Sequence, residues 1–358
     1  MLAELDPASA RHVAPALLDY LRAFLGEPAV DYAARPEPLG RSTSSFIYSF
    51  QLTKAPSAEW SVPLVLRLLP NVDAGPVIER ETAIQNYVIR HGFPALAPLG
   101  LETSGGNALG LPFTITVRIP GGTVLDAVRR RPLSALQLIQ RMADAQAALH
   151  RIPVDFCPLP YEAPLIEHRI ADWQQRIAPE DPDEMHRALA WFAKHSSWAR
   201  DEAPAICHHD FHPMNVLAGP GGGLTVIDWS EAALGDRHSD VARTAALLFF
   251  APLLASSRAE RTLLLGVRGL FRRRHVSAYR RRLPIDTSRL RFWEAAHAFN
   301  GWLQLIELDR RGPDAPELRL ELVQEMRAPR VVAGLRKYLR TCMDQVPANG
   351  QPANRLTS

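Results

Sequence analysis

Lysine is almost missing from this chain: of 41 basic residues only Lys54, Lys194 and Lys337 are lysines, and the rest are arginines. Against 38 acidic residues they leave a formal net charge of +3, too small to argue for a nucleic-acid partner. Cysteine is also scarce. Cys157, Cys207 and Cys342 are odd in number, widely spaced and without metal-ligand pairing. That excludes a disulfide framework and reads as reduced thiols in a cytoplasmic protein. Long apolar runs are absent. The most apolar stretch, residues 245–255, is too short to span a bilayer and follows Arg243, so it reads as a buried helix and no membrane partner is expected. Residues 1–11 carry acids and no apolar signal-peptide core. A Walker A phosphate loop is missing too: Gly221-Gly222-Gly223 runs into Leu224 and strand-like sequence rather than Lys-Ser/Thr and a helix.

What is present is an ordered set of oxygen-bearing side chains. His208-His209-Asp210-Phe211-His212-Pro213-Met214-Asn215 is followed by Val226-Ile227-Asp228-Trp229. Between Asn215 and Asp228, two short apolar runs (216–218 and 224–227) flank a glycine-rich turn at 219–223, the pattern of a β-hairpin. Such a hairpin brings Asn215 and Asp228 to the same end of two paired strands. An Asp that orients a hydroxyl, with an Asn and a second Asp that hold Mg²⁺ through hard oxygens, is what phosphoryl transfer requires. Taken singly, each of these residues would read as part of a polar loop or as an acid at a strand end.

The spacing His-x-Asp-x-x-x-x-Asn (His208, Asp210, Asn215) and the downstream Asp228-Trp229 resemble the aminoglycoside phosphotransferase and choline kinase-like group, relatives of the protein kinases. Residues 234–242 (Leu-Gly-Asp-Arg-His-Ser-Asp-Val-Ala) are similar to that family's Gly-Asp-x-x-x-Asp-Leu-Ala segment. The resemblance covers the middle of the chain strongly, the N-terminal third moderately and the last hundred or so residues hardly at all. It implies an α+β, bilobal protein kinase-like fold with a small β-rich N-lobe and a larger, mostly helical C-lobe. By resemblance, Asp210 is the catalytic base or hydroxyl-orienting residue, His208 fixes it from behind, Asn215 and Asp228 bind Mg²⁺, and Asp240 steadies the loop from the next helix. Asp236 reads as the cap of that helix.

With 358 residues, 47% hydrophobic and 22% charged, the chain has the composition of a soluble globular protein long enough for two domains. Apolar spacing predicts an N-terminal helix over about 7–25 and a proline-containing connector over 27–38. Strands follow at 46–52 and 62–69, with Lys54 in the loop between them, then a helix over 77–91 and a strand at 113–117. Helical spacing takes over afterwards: the stripe Leu138, Met142, Ala145, Leu149, then 164–177, 183–198, 239–250, 257–282, 288–309 and 316–343. The expected division is an N-terminal helix to 28, an N-lobe over 29–119, a C-lobe over 120–345 and a frayed tail over 346–358.

The resemblance also implies a nucleotide site for ATP. Gly40, Ser42 and Ser44, just ahead of the strand at 46, could cover its phosphates. Arg67 takes the place where the family often has Lys, offering a permanent charge and a bidentate fork, with Glu81 as its helix partner. Backbone groups at Val117 and Ile119 would read the adenine edge. Zinc at His208, His209 and His212, or a nucleophilic Cys207, are weaker readings, since hard oxygens suit phosphates better and Cys207 has no evident activating base.

The acceptor is a small molecule with a hydroxyl. The last third offers Glu294, Glu307 and Asp309 as pocket acids. Phe249, Phe250, Trp293, Phe299 and Trp302 suit a partly hydrophobic alcohol or, equally, a core. The many arginines between 258 and 291 read mostly as a solvated helix face, and an anionic hydroxy-metabolite stays open. The expectation is therefore an ATP- and Mg²⁺-dependent small-molecule kinase, monomer or homodimer, with a nucleotide-binding pseudokinase scaffold as the alternative. A protein kinase is disfavoured because Asp228 and Asp240 leave no room for an activation segment.

Overall fold

The structure is a computed structural model and describes residues 6–41, 45–160, 165–199, 203–250, 257–311 and 327–348. The chain forms two compact units: residues 1–123 with 217–230, and residues 124–216 with 231–358. The stretch that carries Asp228 thus groups with the first unit, and the loop that carries Asp210 and Asn215 with the second.

The first unit begins with helix α1 (Ala10–Leu25), whose stripe Val13, Leu17 and Leu21 is fully buried. Gly26 ends it with φ +64, a left-handed turn that glycine adopts without a Cβ penalty. Strands β1 (Asp31–Arg41), β2 (Phe46–Thr53) and β3 (Leu64–Leu68) come next, then helix α2 (Gly75–Arg90), β4 (Gly100–Glu102) and β5 (Phe113–Val117). The five strands form one antiparallel sheet in the order β1-β2-β3-β5-β4. Along β3 the side chains alternate: Leu64, Leu66 and Leu68 are buried in the core shared with α1, which leaves Arg67 on the other face.

β1 corrects the connector expected at 27–38. Pro36 and Pro38 argue against a central strand, but β1 is the sheet edge, where a missing N–H costs little, and its register shifts absorb the irregularity. The expected hairpin forms as β8 (Val216–Ala218) and β9 (Leu224–Val226), with Gly219 N–H donating to the Gly223 carbonyl at 2.9 Å. Strand β6 (Gly122–Thr123) completes that three-stranded sheet. Ahead of it, Gly121 has φ +113, and a Cβ there would lie 2.4 Å from the Ala218 carbonyl oxygen.

The second unit is mainly helical: α3 (Val124–Arg130), α4 (Ala135–Leu149), α5 (Leu165–Arg176) and α6 (Asp183–His195), then α7 (Arg237–Phe250), α8 (Arg258–Arg282), α9 (Thr287–Arg310) and α10 (Pro329–Met343). The ends differ by a few residues from those read off the sequence, and part of the helix expected over 316–343 lies outside the described residues. Two short strands, β7 (Ala205–Cys207) and β10 (Ala233–Gly235), pair antiparallel. The core is aromatic, with Trp173, Phe192, Phe292, Trp293, Phe299 and Trp302 at 2% exposure or less. Among the described residues no helix is long and apolar enough to cross a membrane.

Candidate active site

β7 delivers the chain directly into the loop 208–215. The three residues of β7 are buried, so the strand end is fixed and the loop leaves it from one point. His209 then takes φ +58, a conformation uncommon for any residue with a Cβ, and turns the backbone so that Asp210 faces outward. Phe211 is fully buried beside the His208 ring and anchors the loop from below.

Asp210 is held at both carboxylate oxygens. Arg243 Nη2 donates to Oδ1 at 3.0 Å, while Asn215 Nδ2 and His212 Nε2 donate to Oδ2 at 2.8 and 3.1 Å. His212 Nδ1 accepts from the Met214 N–H, which leaves Nε2 as the donor to Asp210. Burial works to raise the Asp210 pKa, but the His212 hydrogen bond and the Arg243 charge overrule it and hold the carboxyl well below its ordinary range. The group is ionised at neutral pH. The Asn215 amide also donates to the Asp210 carbonyl at 3.1 Å, which turns its oxygen away from Asp210. His208 Nδ1 accepts the Asp210 N–H at 3.3 Å.

A buried polar network supports the loop. Asp240, 0% exposed on α7, accepts the His209 N–H at 2.5 Å on Oδ1. On Oδ2 it accepts Gln146 Nε2 at 2.7 Å and His150 Nε2 at 3.0 Å. Burial opposes its charge; the hydrogen bonds from His150 and Gln146 win and lower its pKa. Gln146 Oε1 in turn accepts from His275 Nε2 at 2.9 Å, and Thr244 Oγ donates to the Phe211 carbonyl at 2.8 Å. Asp236 caps α7 through the His238 N–H and also binds Arg289 and Trp293.

In the first unit, Arg67 Nη1 donates to Glu81 Oε2 at 2.6 Å, its Nε reaches Ser45 Oγ at 3.4 Å, and Nη2 lies 3.8 Å from Asp228 Oδ1. Burial works against the Arg67 charge, yet the Glu81 carboxylate keeps its pKa above the ordinary value. Burial also lifts the pKa of Glu81, 3% exposed, with Arg67 pulling it back. Asp228 takes φ +61, and its Oδ1 accepts the Ser230 hydroxyl at 2.9 Å. Its side chain is 39% exposed, and Trp229 behind it is fully buried against Phe93.

The other expected nucleotide residues are less gathered. Gly40, ahead of the strand at 46 as expected, lies within β1 opposite Ile47; Ser42 and Ser44 lie outside the described residues. Val117 ends β5 opposite Leu64, and half-buried Ile119 follows it. Lys54 has φ +57 in an exposed turn. The three histidines do not converge: His208 and His212 serve Asp210, and His209 is buried with both ring nitrogens unpaired. Among the described residues no group of three or more His, Cys, Asp or Glu is arranged to hold a metal ion.

The pocket acids need correction. Glu294 is fully buried between Arg272 and Arg291, Glu307 binds Arg176, and Asp309 binds Arg327. Of the arginines read as a solvated face, Arg272, Arg289 and Arg291 are partly buried ion-pair partners, whereas Arg273, Arg280, Arg281 and Arg282 are exposed as expected. A buried carboxylate needs such partners, and helical spacing alone hides them. Trp293, Phe299 and Trp302 belong to the core, and Phe249 and Phe250 pack against it.

Arg243, His212 as a ligand of Asp210, and Gln146 are site or support residues that the sequence reading passed over. Arg243 carried a signal: it stands three residues after Asp240, on the same helix face.

A family model described as the phosphotransferase enzyme family matches residues 48–276, more than half of the chain. The chain is 25% identical over 244 residues to an aminoglycoside 3'-phosphotransferase of Streptomyces fradiae, covering 61% of this chain and 84% of that protein. Its fold resembles a thermostable mutant of the aminoglycoside phosphotransferase APH(4)-Ia, in ternary complex with AMP-PNP and hygromycin B (TM-score 0.60, 18% identity, 92% of this chain and 98% of that one). It also resembles the amicoumacin kinase hAmiN in complex with AMP-PNP, Ca²⁺ and Ami (TM-score 0.58, 15% identity, 92% and 95%).

Proposed function

Because this chain belongs to the phosphotransferase enzyme family, the aminoglycoside phosphotransferase group of the protein kinase-like superfamily, we propose that it moves the γ-phosphate of ATP to a hydroxyl of a small molecule in a Mg²⁺-dependent reaction. The observation that carries this is Asp210: a partly exposed carboxylate, ionised and held at both oxygens by Arg243, Asn215 and His212. A carboxylate of such low basicity orients a hydroxyl and takes its proton late, which suits a loose transition state.

Arg67, braced by Glu81, is the cation for the α- and β-phosphates. The amide oxygen of Asn215 and the exposed carboxylate of Asp228 are hard donors of the kind Mg²⁺ takes and would hold it. Bound Mg²⁺ supplies charge neutralisation at the phosphates. The chain's own residues position the reactants: His208 and Asp240 fix the backbone around Asp210, and backbone groups at Val117 and Ile119 meet the adenine. Nucleotide and divalent cation in the hAmiN complex support the same ligands here.

The test is ADP release from Mg·ATP over a panel of macrolides, aminoglycosides, choline, sugars and hydroxy acids, with Asp210→Asn as control. Acceptor-stimulated release that the variant loses is expected. Release that survives in the variant would remove Asp210 from the reaction. ATP binding without turnover for any acceptor would favour the pseudokinase scaffold.

A further inference from the structure

Asp210 is accompanied by a cation, Arg243, that spends one N–H on it among the described residues. Arg243 donates to Asp210 through Nη2 at 3.0 Å, its Nε is buried without a hydrogen-bond partner, and its side chain is 35% exposed. A guanidinium has five N–H donors in a planar fork, so the contact to Asp210 leaves room for a second anion. The backbone of α7 fixes where Arg243 starts, because Asp240, one turn earlier, is buried and bonded to the loop. Among the described residues, several carboxylates of the second unit that could meet a polycationic acceptor are already paired with arginines. Glu294 is bound by Arg272 and Arg291, Glu307 by Arg176, Asp309 by Arg327, and Asp236 by Arg289. Asp210 itself is compensated by Arg243.

Resting on the phosphotransferase assignment above, we infer that the acceptor is an alcohol carrying a carboxylate near the reacting hydroxyl, and that Arg243 binds this carboxylate while Asp210 receives the hydroxyl. In the transfer the hydroxyl oxygen bonds to the γ-phosphorus as the bond to the β–γ bridging oxygen breaks. ADP leaves with that oxygen, and the hydroxyl proton passes through Asp210 to solvent. A carboxylate meets the guanidinium fork with two charge-assisted hydrogen bonds, an amide meets it with one neutral acceptor, and an ammonium group is repelled.

The experiment compares hydroxylated compounds in matched carboxylate, amide and amine forms (lactate, lactamide and 1-amino-2-propanol, with larger sets built likewise). ADP release by the full chain with Mg·ATP is read as kcat and KM. The carboxylate members are expected to exceed their amides by about tenfold or more in kcat/KM. In Arg243→Gln that ratio falls toward one, through a raised KM for the carboxylate form, and Arg243→Lys restores part of it. A merely structural Arg243 would slow all three forms alike and leave the ratio unchanged, which overturns the inference. Stimulation by amine or amide forms in preference to carboxylates also overturns it and leaves the phosphotransferase assignment standing. No stimulation by these compounds while an acceptor of the wider panel is turned over also overturns it and leaves the phosphotransferase assignment standing; silence across both sets, with ATP bound, removes both.

Discussion

Replacing Asp240 by Asn changes one oxygen into an amide group at the centre of the loop support, and the hydrogen bonds around it decide what that costs. Oδ1 accepts the His209 N–H, and Oδ2 accepts both Gln146 Nε2 and His150 Nε2. An Asn can serve one side only. If its oxygen keeps the His209 N–H, its NH₂ faces two donors. Gln146 relieves this by rotating its amide only if His275 moves its proton from Nε2 to Nδ1 and the Thr244 hydroxyl, at 3.0 Å, reverses its role. His150 could offer Nε2 as an acceptor only by moving its proton to Nδ1, which faces the Tyr279 hydroxyl at 2.6 Å. These partners must switch tautomer and rotamer together or leave a buried donor unpaired, and in either case a buried charge is lost. Removing one partner from a buried ionic network costs about 3–5 kcal/mol. For a unit of this size that is a fall of about 10 °C in melting temperature. Urea unfolding followed by tryptophan fluorescence, with Trp173, Trp293 and Trp302 as reporters in the second unit, measures it. The loop loses its brace as well, so ADP release should fall together with stability. A loss below about 1 kcal/mol would refute the argument that the network is fully committed.

The same unit should weaken in mild acid. His209 and His275 are buried and burial pushes each pKa down to about 4, below the unfolded value near 6.5, so the unfolded chain takes up protons first as pH falls. Stability is therefore lost from pH 6.5 toward 4, by about 2 kcal/mol per histidine at pH 5; equal urea midpoints at pH 7 and pH 5 would contradict it. In the first unit, Arg67→Met leaves the carboxylate of Glu81 buried and unpaired, costing about 3 kcal/mol or more, and raises the KM for ATP. The double variant Arg67→Met/Glu81→Met should recover most of the stability and none of the nucleotide affinity; recovery of both would make Arg67 a bystander in binding ATP. Asp228→Ala should abolish Mg²⁺-dependent turnover while lowering the melting temperature by only a few degrees, the cost of about 1 kcal/mol for Ala at φ +61. Full activity in that variant would end its assignment as a metal ligand.

Much of this protein is legible in its sequence because its decisive patterns are local. Helical spacing in 138–149 or 239–250 and period-two alternation in 64–68 state which face each element buries. The loop 208–215 and the hairpin after it carry their chemistry in consecutive residues, so residue order alone places Asp210, Asn215 and Asp228 on the right elements. β1 was missed because two prolines argue against a strand unless its place at the sheet edge is known, and that place depends on its neighbours.

Pairing across long separations belongs to the tertiary structure. Glu294, Glu307 and Asp309 look like free acids along the chain, and only folding sets Arg272, Arg176 and Arg327 against them. Gln146 and Asp240 are 94 residues apart, and neither residue type announces the other. Arg243 is the clearest case. In sequence it is one arginine ahead of an apolar run; in the fold its guanidinium meets Asp210, because the buried Asp240 turns that face of the helix toward the loop. A side chain's residue type and periodicity are set by its own stretch of sequence, but its charge is answered by whatever the fold brings within 3 Å, and at this site the fold brought a cation.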